Sequence, residues 1–355
     1  MRRPAPSRGF ALAAVLWLLA GVTILVSGVG VSLLAVARTN RDLDARVRLI
    51  VAEQQATASL LYVMLTSKTL GVGANVGAAV LPLDGSVSLA MDNGAVVELQ
   101  DLQGLIGLNA ASGEDLRRLV GQCGANAEQA DSLVDRLLDY TDEDSLKRTN
   151  GAEAFEYASI GRAPPRNRAL TSRAELRQVL GWETFRSAWV ESGCDELVSL
   201  SSAAAVNLWT APERVLTAMG MDPRSAALAT SERGRDAQLQ RLSPLLLSFR
   251  DLQGTGPAAM GRFSVRSRGD VRLTVTLPPS GLARRVVIFR GGVDHVVPFL
   301  ISEQDWVPAK SDAADVDQAP GMATRQLLLE GYVSAAAART ETNALQTPLL
   351  PFQRP

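Results

Sequence analysis

FALAAVLWLLAGVTILVSGVGVSLLAVA, residues 10–37, is the stretch on which the reading of this chain turns. From Gly9 to Ala37 no residue is charged, a run of 29. As a helix rising ~1.5 Å per residue the run covers ~43 Å, more than the ~30 Å hydrocarbon layer of a bilayer. It reads as a membrane span rather than a buried core helix. A secretory signal has an apolar core of only ~7–15 residues ending at a cleavage site, and this run is longer. Arg2, Arg3 and Arg8 precede it; Arg38, Arg41, Arg46 and Arg48 follow, so charge bias alone leaves the orientation open.

The helical pattern continues past the span. Val36, Leu43, Val47, Ile50, Gln54, Leu61 and Leu65 fall mostly at helical steps, with Arg41, Asp44, Arg48, Glu53 and Gln55 between them. No proline occurs between Pro6 and Pro82. One helix from about Phe10 to about Ser67 is expected, half in lipid and half packed on a soluble domain. Gly21, Gly28 and Gly30 weaken its membrane half.

Outside the span the chain is ordinary. It has 355 residues, 46% hydrophobic and 21% charged, which allows two or three compact units. The formal net charge of −1 and 5% aromatic content give no basis for a nucleic-acid partner. Two cysteines, Cys123 and Cys194, rule out four-cysteine zinc sites, and they leave open either a disulfide or two buried thiols. The one histidine, His295, has Asp294 and Asp305 nearby in sequence but no nucleophile-elbow motif, so it reads as structural. GVGANVG (71–77) misses the dinucleotide-binding spacing and follows a helix, so it reads as a flexible connector.

Strand signals run from Ala79 to Leu99, with turns expected at Asp84-Gly85 and Asn93-Gly94. They return at Phe263–Val265, Val271–Leu277 and Val286–Phe289. Together these predict one antiparallel sheet packed on the long helix. Between them, from about Gly104 to Leu245, the pattern is helical. Ser112/Asp115, Ser172/Glu175 and Thr210/Glu213 have capping-box spacing, and Pro212 suits a first helical turn. The fold class is therefore α+β: a long N-terminal helix on a small antiparallel sheet, with a large all-α domain inserted in the sheet region. The expected boundaries are 1–9 for a basic leader, 10–37 for the transmembrane half-helix, 38–103 with 246–306 for the α/β domain, 104–245 for the insertion and 307–355 for a mobile tail rich in Ala, Pro, Gln and Thr. Thr210-Ala211-Pro212-Glu213 after Val206-Asn207-Leu208 is reminiscent of a helix-hairpin-helix, read here as packing rather than DNA binding.

The basic leader, Gly9, Phe10, the uncharged span and its amphipathic continuation resemble a type IV prepilin-type N-terminus. LQDLQGLIGLNAAS (99–112, with Asp101, Gly104 and Asn109), LLDYTDEDSLKRTNGAEAFEY (137–157), PPRNRALTSRAELRQVLG (164–181) and AAVNLWTAPERVL (204–216) are similar, in order, to blocks of the K-type minor pseudopilins of type II secretion systems. The resemblance implies cleavage by a membrane prepilin peptidase between Gly9 and Phe10, with N-methylation of Phe10. It implies a single-pass inner-membrane protein whose bulk is periplasmic. Its N-terminal helix would pack on other minor pseudopilins, it would cap the tip of a short filament, and it would have no catalytic role, nucleic acid or small-molecule substrate. Most prepilins carry glutamate where this chain has Ala14; a buried carboxylate needs a cationic partner, and a tip subunit has no subunit above it to supply one. Two other readings are a minor pilin of a type IV pilus, which normally lacks so large an insertion, and an anchored periplasmic binding or hydrolytic domain.

Asp139, Asp142, Glu143, Asp144, Glu153 and Glu156 crowd into eighteen residues. Hard oxygens at this density suit Ca2+, although the spacing is not that of an EF-hand, and a solvated acidic loop is the plainer alternative. The family resemblance implies structural calcium here, with Asp142, Asp144 and Glu153 as first ligands and Glu156 and Asp139 next. Ala154 replaces an aspartate common in the family, which reduces the ligand set.

Overall fold

The computed structural model describes residues 8–69, 73–76, 79–236, 261–278, 281–291 and 297–309. Helix α1 spans Arg8–Thr66 without a break, within a residue or two of the expected limits. By contact the chain divides into two units, Met1–Ala52 and Glu53–Pro355. The first is the helical rod. An 18-residue window within it has mean hydropathy 2.4 and none of it is buried, so by length and composition it can cross a membrane. Thr23, Ser32 and Thr39 turn their hydroxyls back onto the carbonyls of Leu19, Gly28 and Ala35, so these polar groups are satisfied within the rod.

In the second unit, residues 53–66 of α1 lie beside a five-stranded antiparallel sheet. It is built from β4 (Asp84–Ala90), β5 (Val96–Asp101), β10 (Val271–Thr276), β11 (Leu282–Arg290) and β12 (Phe299–Pro308), in the order β12-β11-β10-β5-β4. Strand alternation gives the sheet two different faces. Val97, Leu99, Leu273, Val275, Val286 and Ile288 are buried on one side, the side from which Arg284 reaches Glu53 of α1. Arg272, Arg285, Val287 and Phe289 point the other way, toward the insertion. The buried stripe of α1 is Ala56, Leu60, Val63 and Met64. The expected stripe differs from it: Leu43, Val47 and Leu65 are more than half exposed.

The Asn93-Gly94 turn forms as expected, with Gly94 at φ +79° and its N–H bonded to Met91. Asp84-Gly85 is not a turn. Gly85, at φ +71°, sits in an irregularity of edge strand β4, where Asp84 still pairs with Gln100. The expected connector at 71–77 contains a strand: β2 (Gly73–Val76) pairs with β1 (Lys68–Thr69) and β3 (Ala79–Pro82). A side chain at position 73 would strike the Leu81 carbonyl, which explains a glycine there.

Leu99 of β5 faces Leu273 of β10, so the chain leaves and rejoins the sheet between two paired strands. Everything from 102 to 270 is therefore an insertion in one hairpin. It contains α2 (Gly113–Gln122), α3 (Ala127–Thr141), α4 (Ala154–Ser159), α5 (Trp182–Glu191), α6 (Glu213–Ala218) and α7 (Pro223–Asp236). It is not purely helical. β6 (Ile106–Gly107) pairs in parallel with β7 (Val198–Ser199), and β8 (Val206–Asn207) with β9 (Phe263–Ser264), tying both ends of the insertion to its middle. The pairing at 263–264 carries the insertion past position 245, and β12 carries the sheet to Pro308. The leader residues 1–7, His295 and the tail from 310 lie outside the described residues.

The start signals behave unequally. Ser112 caps α2 as expected, accepting from the Asp115 N–H. Ser172 begins a 3-10 segment, and Glu175 bonds Thr171 instead. Thr210 is not a cap: α6 starts after Pro212, and the Thr210 hydroxyl is used elsewhere. A full capping box appears at Asn126/Gln129.

Candidate functional site: the helical insertion and its acidic loop

One buried carboxylate anchors the insertion to the sheet, and two further residues fix segments of the insertion to one another. The Asp101 carboxylate, fully buried, accepts from the Asn207 amide and the Thr210 hydroxyl at 2.8 Å each, from Ser267 at 3.0 Å and from the Gln103 N–H at 3.1 Å. Burial pushes its pKa up, against the pull of those donors. Gly104 leaves no room for a side chain, because a Cβ would lie 2.6 Å from the Thr210 carbonyl. Asn109 clamps two segments at once: it donates to the carbonyls of Leu170 and Leu200 and accepts from the Leu170 N–H. Asp101, Gly104 and Asn109 thus have structural reasons to occur together. Asn207 and Thr210, the polar residues of the helix-hairpin-helix-like segment, are turned inward to Asp101.

The insertion has its own core, which includes Leu116, Leu119, Val134, Leu137, Tyr140, Tyr157, Trp182 and Trp189. Cys123 at the end of α2 and Cys194 after α5 form a disulfide within that core, with Cα atoms 6.1 Å apart. Sequence alone could not say whether they meet.

The acidic loop follows α3. Asp139 is fully buried and receives the Arg148 backbone N–H and guanidinium, the latter at 2.7 Å. The same guanidinium nitrogen lies 2.5 Å from Asp142 Oδ2. Lys147 Nζ binds Glu156 at 2.7 Å and holds its carboxyl down at about 2, helped by the Glu153 N–H. Asp144 accepts from the Leu146 N–H, and its carbonyl accepts from the Asn167 amide. Gly151 packs so closely on Asp139 that a Cβ would overlap the carboxylate, 1.8 Å from Oδ2.

Charge in the loop is incompletely compensated. Burial raises the Glu153 carboxyl, and the neighbouring Asp139, Asp142, Asp144 and Glu156 raise it further. Asp142 Oδ1, Glu153 Oε1 and Asn167 Oδ1 are buried with no hydrogen-bond donor. Buried oxygens without donors are costly and suit a hard cation. The donor chemistry therefore fits Ca2+. The side chains are not gathered for it, however: among the described residues no three carboxylates, histidines or cysteines stand together as a ligand set. Arg148 and Lys147 hold Asp139, Asp142 and Glu156 instead. Ala154 opens α4 and offers no side-chain oxygen.

At the other end, Gly9 and Phe10 lie in the first turns of α1, and Ala14 is exposed one turn later.

Sequence reasoning missed a buried ionic network on the sheet face turned to the insertion. Arg285 binds Asp195 at 3.0 Å and also Glu196; Arg272 binds Glu196 at 3.2 Å; Arg173 joins Asp195 and Asp305 at 3.1 and 3.3 Å. Burial, with the nearby Arg173 charge, brings Arg272 down to about 10.

A long helix on an antiparallel sheet, with an insertion in one hairpin, defines the class: a pilin-like fold carrying an inserted domain. Residues 93–186 match the family model described as Type II secretion system (T2SS), protein K. Among solved structures this chain is similar to a chain of the GspK–GspI–GspJ complex from the enterotoxigenic Escherichia coli type 2 secretion system. Identity is 18% and the TM-score 0.51, covering 77% of this chain and 100% of the other. That likeness establishes the shared fold. No curated protein matches the chain in sequence.

Proposed function

We propose that this protein is the tip subunit of a periplasmic pseudopilus and helps to start its assembly for protein export. The observation that carries the reading is the exposed apolar length of α1: Leu12, Leu16, Trp17, Leu25, Leu33 and Leu43 are each more than half exposed. A surface of this kind is stable only in lipid or against other apolar helices. It first anchors the chain in the inner membrane, then packs on neighbouring helices when the subunit is drawn into the filament. Ala14 fits the tip, since the chain carries no carboxylate there that a subunit above would have to neutralise. The bulk of the insertion, residues 102 to 270, supports a capping position with no subunit above it. Prepilin peptidase is the processing partner, cutting after Gly9 and methylating Phe10. The role is structural rather than catalytic.

The partners are two smaller minor pseudopilins, which use the exposed Leu43, Val47 and Val51 of α1. The similar solved chain comes from a GspK–GspI–GspJ complex, which supports partners of this kind. Co-purification of the full chain with its minor pseudopilins tests this. Retention by the wild type and loss in Leu43→Asp/Val47→Asp support it; unchanged retention in the variant contradicts it.

The acidic loop serves as a structural Ca2+ site, held by Asp142, Asp144 and Glu153 with Glu156 and Asp139. When bound, the ion supplies charge neutralisation. The chain's own residues fix the loop ends on α3 and α4, so that binding and local folding are linked.

A further inference from the structure

The uncharged run of α1 ends at Ala37, and Arg38 follows at once. Val31, Leu34, Arg38 and Arg41 are spaced by three and four residues, so they share one face of the helix. All four are exposed, Val31 and Leu34 at 68% and 61%. One continuous strip thus passes from bare aliphatic surface to two guanidinium groups. The side chains of Arg38 and Arg41 make no hydrogen bond or ion pair among the described residues. The next two arginines differ: Arg48 holds Asp44 at 2.7 Å, and Arg46 is also engaged. From Arg38 to Arg48 four arginines stand against two aspartates, so the segment is cationic on a chain whose net charge is −1.

Depth along the helix singles out the first pair. The run of 29 uncharged residues covers ~43 Å, close to the ~40–45 Å of a bilayer with both headgroup layers. With Gly9 at one headgroup layer, Arg38 falls in the other, and Arg41 lies ~4.5 Å beyond it. Arg48 is ~15 Å beyond Arg38, outside the ~5–8 Å depth of one headgroup layer.

We propose that Arg38 and Arg41 bind the phosphate of an anionic phospholipid whose acyl chains lie on Val31 and Leu34. Guanidinium groups take phosphate oxygens through paired N–H donors. A cationic segment directly beside a membrane span is attracted to anionic lipid. A free phosphate ion meets only the arginines, whereas a lipid with an anionic head meets the whole strip. Contacts of this kind set the depth at which the helix rests in the bilayer. The inference rests on the reading of α1 as a membrane anchor.

The test uses the full chain in phosphatidylcholine vesicles with a trace of spin-labelled phosphatidylglycerol or spin-labelled phosphatidylcholine. Electron spin resonance reads the fraction of each probe immobilised at the protein. The wild type should prefer phosphatidylglycerol by at least ~3-fold. Arg38→Gln/Arg41→Gln should lose most of that preference, whereas Arg2→Gln/Arg3→Gln/Arg8→Gln should keep it. Glutamine forms helix about as well as arginine, so far-ultraviolet circular dichroism should be unchanged. Equal immobilisation of the two probes by the wild type would overturn the proposal and leave the anchor reading intact, as would a preference unchanged in Arg38→Gln/Arg41→Gln. A preference abolished by inorganic phosphate, but not by chloride at the same ionic strength, would assign the arginines to free phosphate and also overturn it. No immobilised lipid with either probe would overturn the anchor reading and the proposal together.

Discussion

The Thr210 hydroxyl donates to Asp101 Oδ2 at 2.8 Å, joining the last residue of β5 to a turn 109 residues further on. The contact fixes where the insertion sits on its parent sheet. Asp101→Ala strands the Asn207, Thr210 and Ser267 donors inside the protein and should cost about 3 kcal/mol. Thr210→Val removes one donor and should cost about 1 kcal/mol. Urea midpoints of the two variants check both the size and the order.

The Cys123–Cys194 bond closes a separation of 71 residues in the core of the insertion. Loop-closure entropy puts its contribution at about 4 kcal/mol. Cys123→Ser/Cys194→Ser should lower the melting temperature, and reducing agent should do the same to the wild type but not to the variant.

The ionic network should give the protein an acid-sensitive component. Burial pushes the Asp195 carboxyl up, but the charges of Arg173, Arg285 and Arg272 outweigh this and hold it below its ordinary 3.8. A depressed carboxyl contributes stability above its unfolded value and loses it as pH falls through the folded one. Asp195→Asn should therefore be less stable than wild type at pH 7, with the gap closing below pH ~3.8. Denaturation across that range measures it.

Calcium should raise the melting temperature of the wild type. At a hundred times the dissociation constant the gain is about 2.7 kcal/mol. Asp142→Asn/Glu153→Gln should abolish the rise. Gly151→Ala should also do so, because its Cβ would displace the Asp139 carboxylate. A rise that survives in both variants would put the ion elsewhere.

The long helix and the sheet were legible because their signals are local. An uncharged run of 29 residues has few other uses, and Asn93-Gly94 between alternating runs specifies a hairpin. Asp84-Gly85 gives the same local signal but sits in a strand irregularity, because Asp84 pairs with Gln100. Thr210 has the spacing of a cap, yet a buried carboxylate far away in sequence claims its hydroxyl. The burial of Arg272 and Arg285 has no local signal, because it depends on Asp195 and Glu196 arriving from the insertion. The buried stripe of α1 was misplaced because Ala56 and Thr57 carry little hydrophobic signal, although both are buried. Of the acidic loop, composition showed the crowding of carboxylates but not that Arg148 would lie between Asp139 and Asp142.

The most direct test of the pseudopilin account is the N-terminus of the full chain co-expressed with its prepilin peptidase, read by intact mass and N-terminal peptide. The account predicts a mature chain that begins at N-methylated Phe10, with Gly9→Ala left unprocessed. A chain that keeps Met1, or is cut at another position, would contradict it.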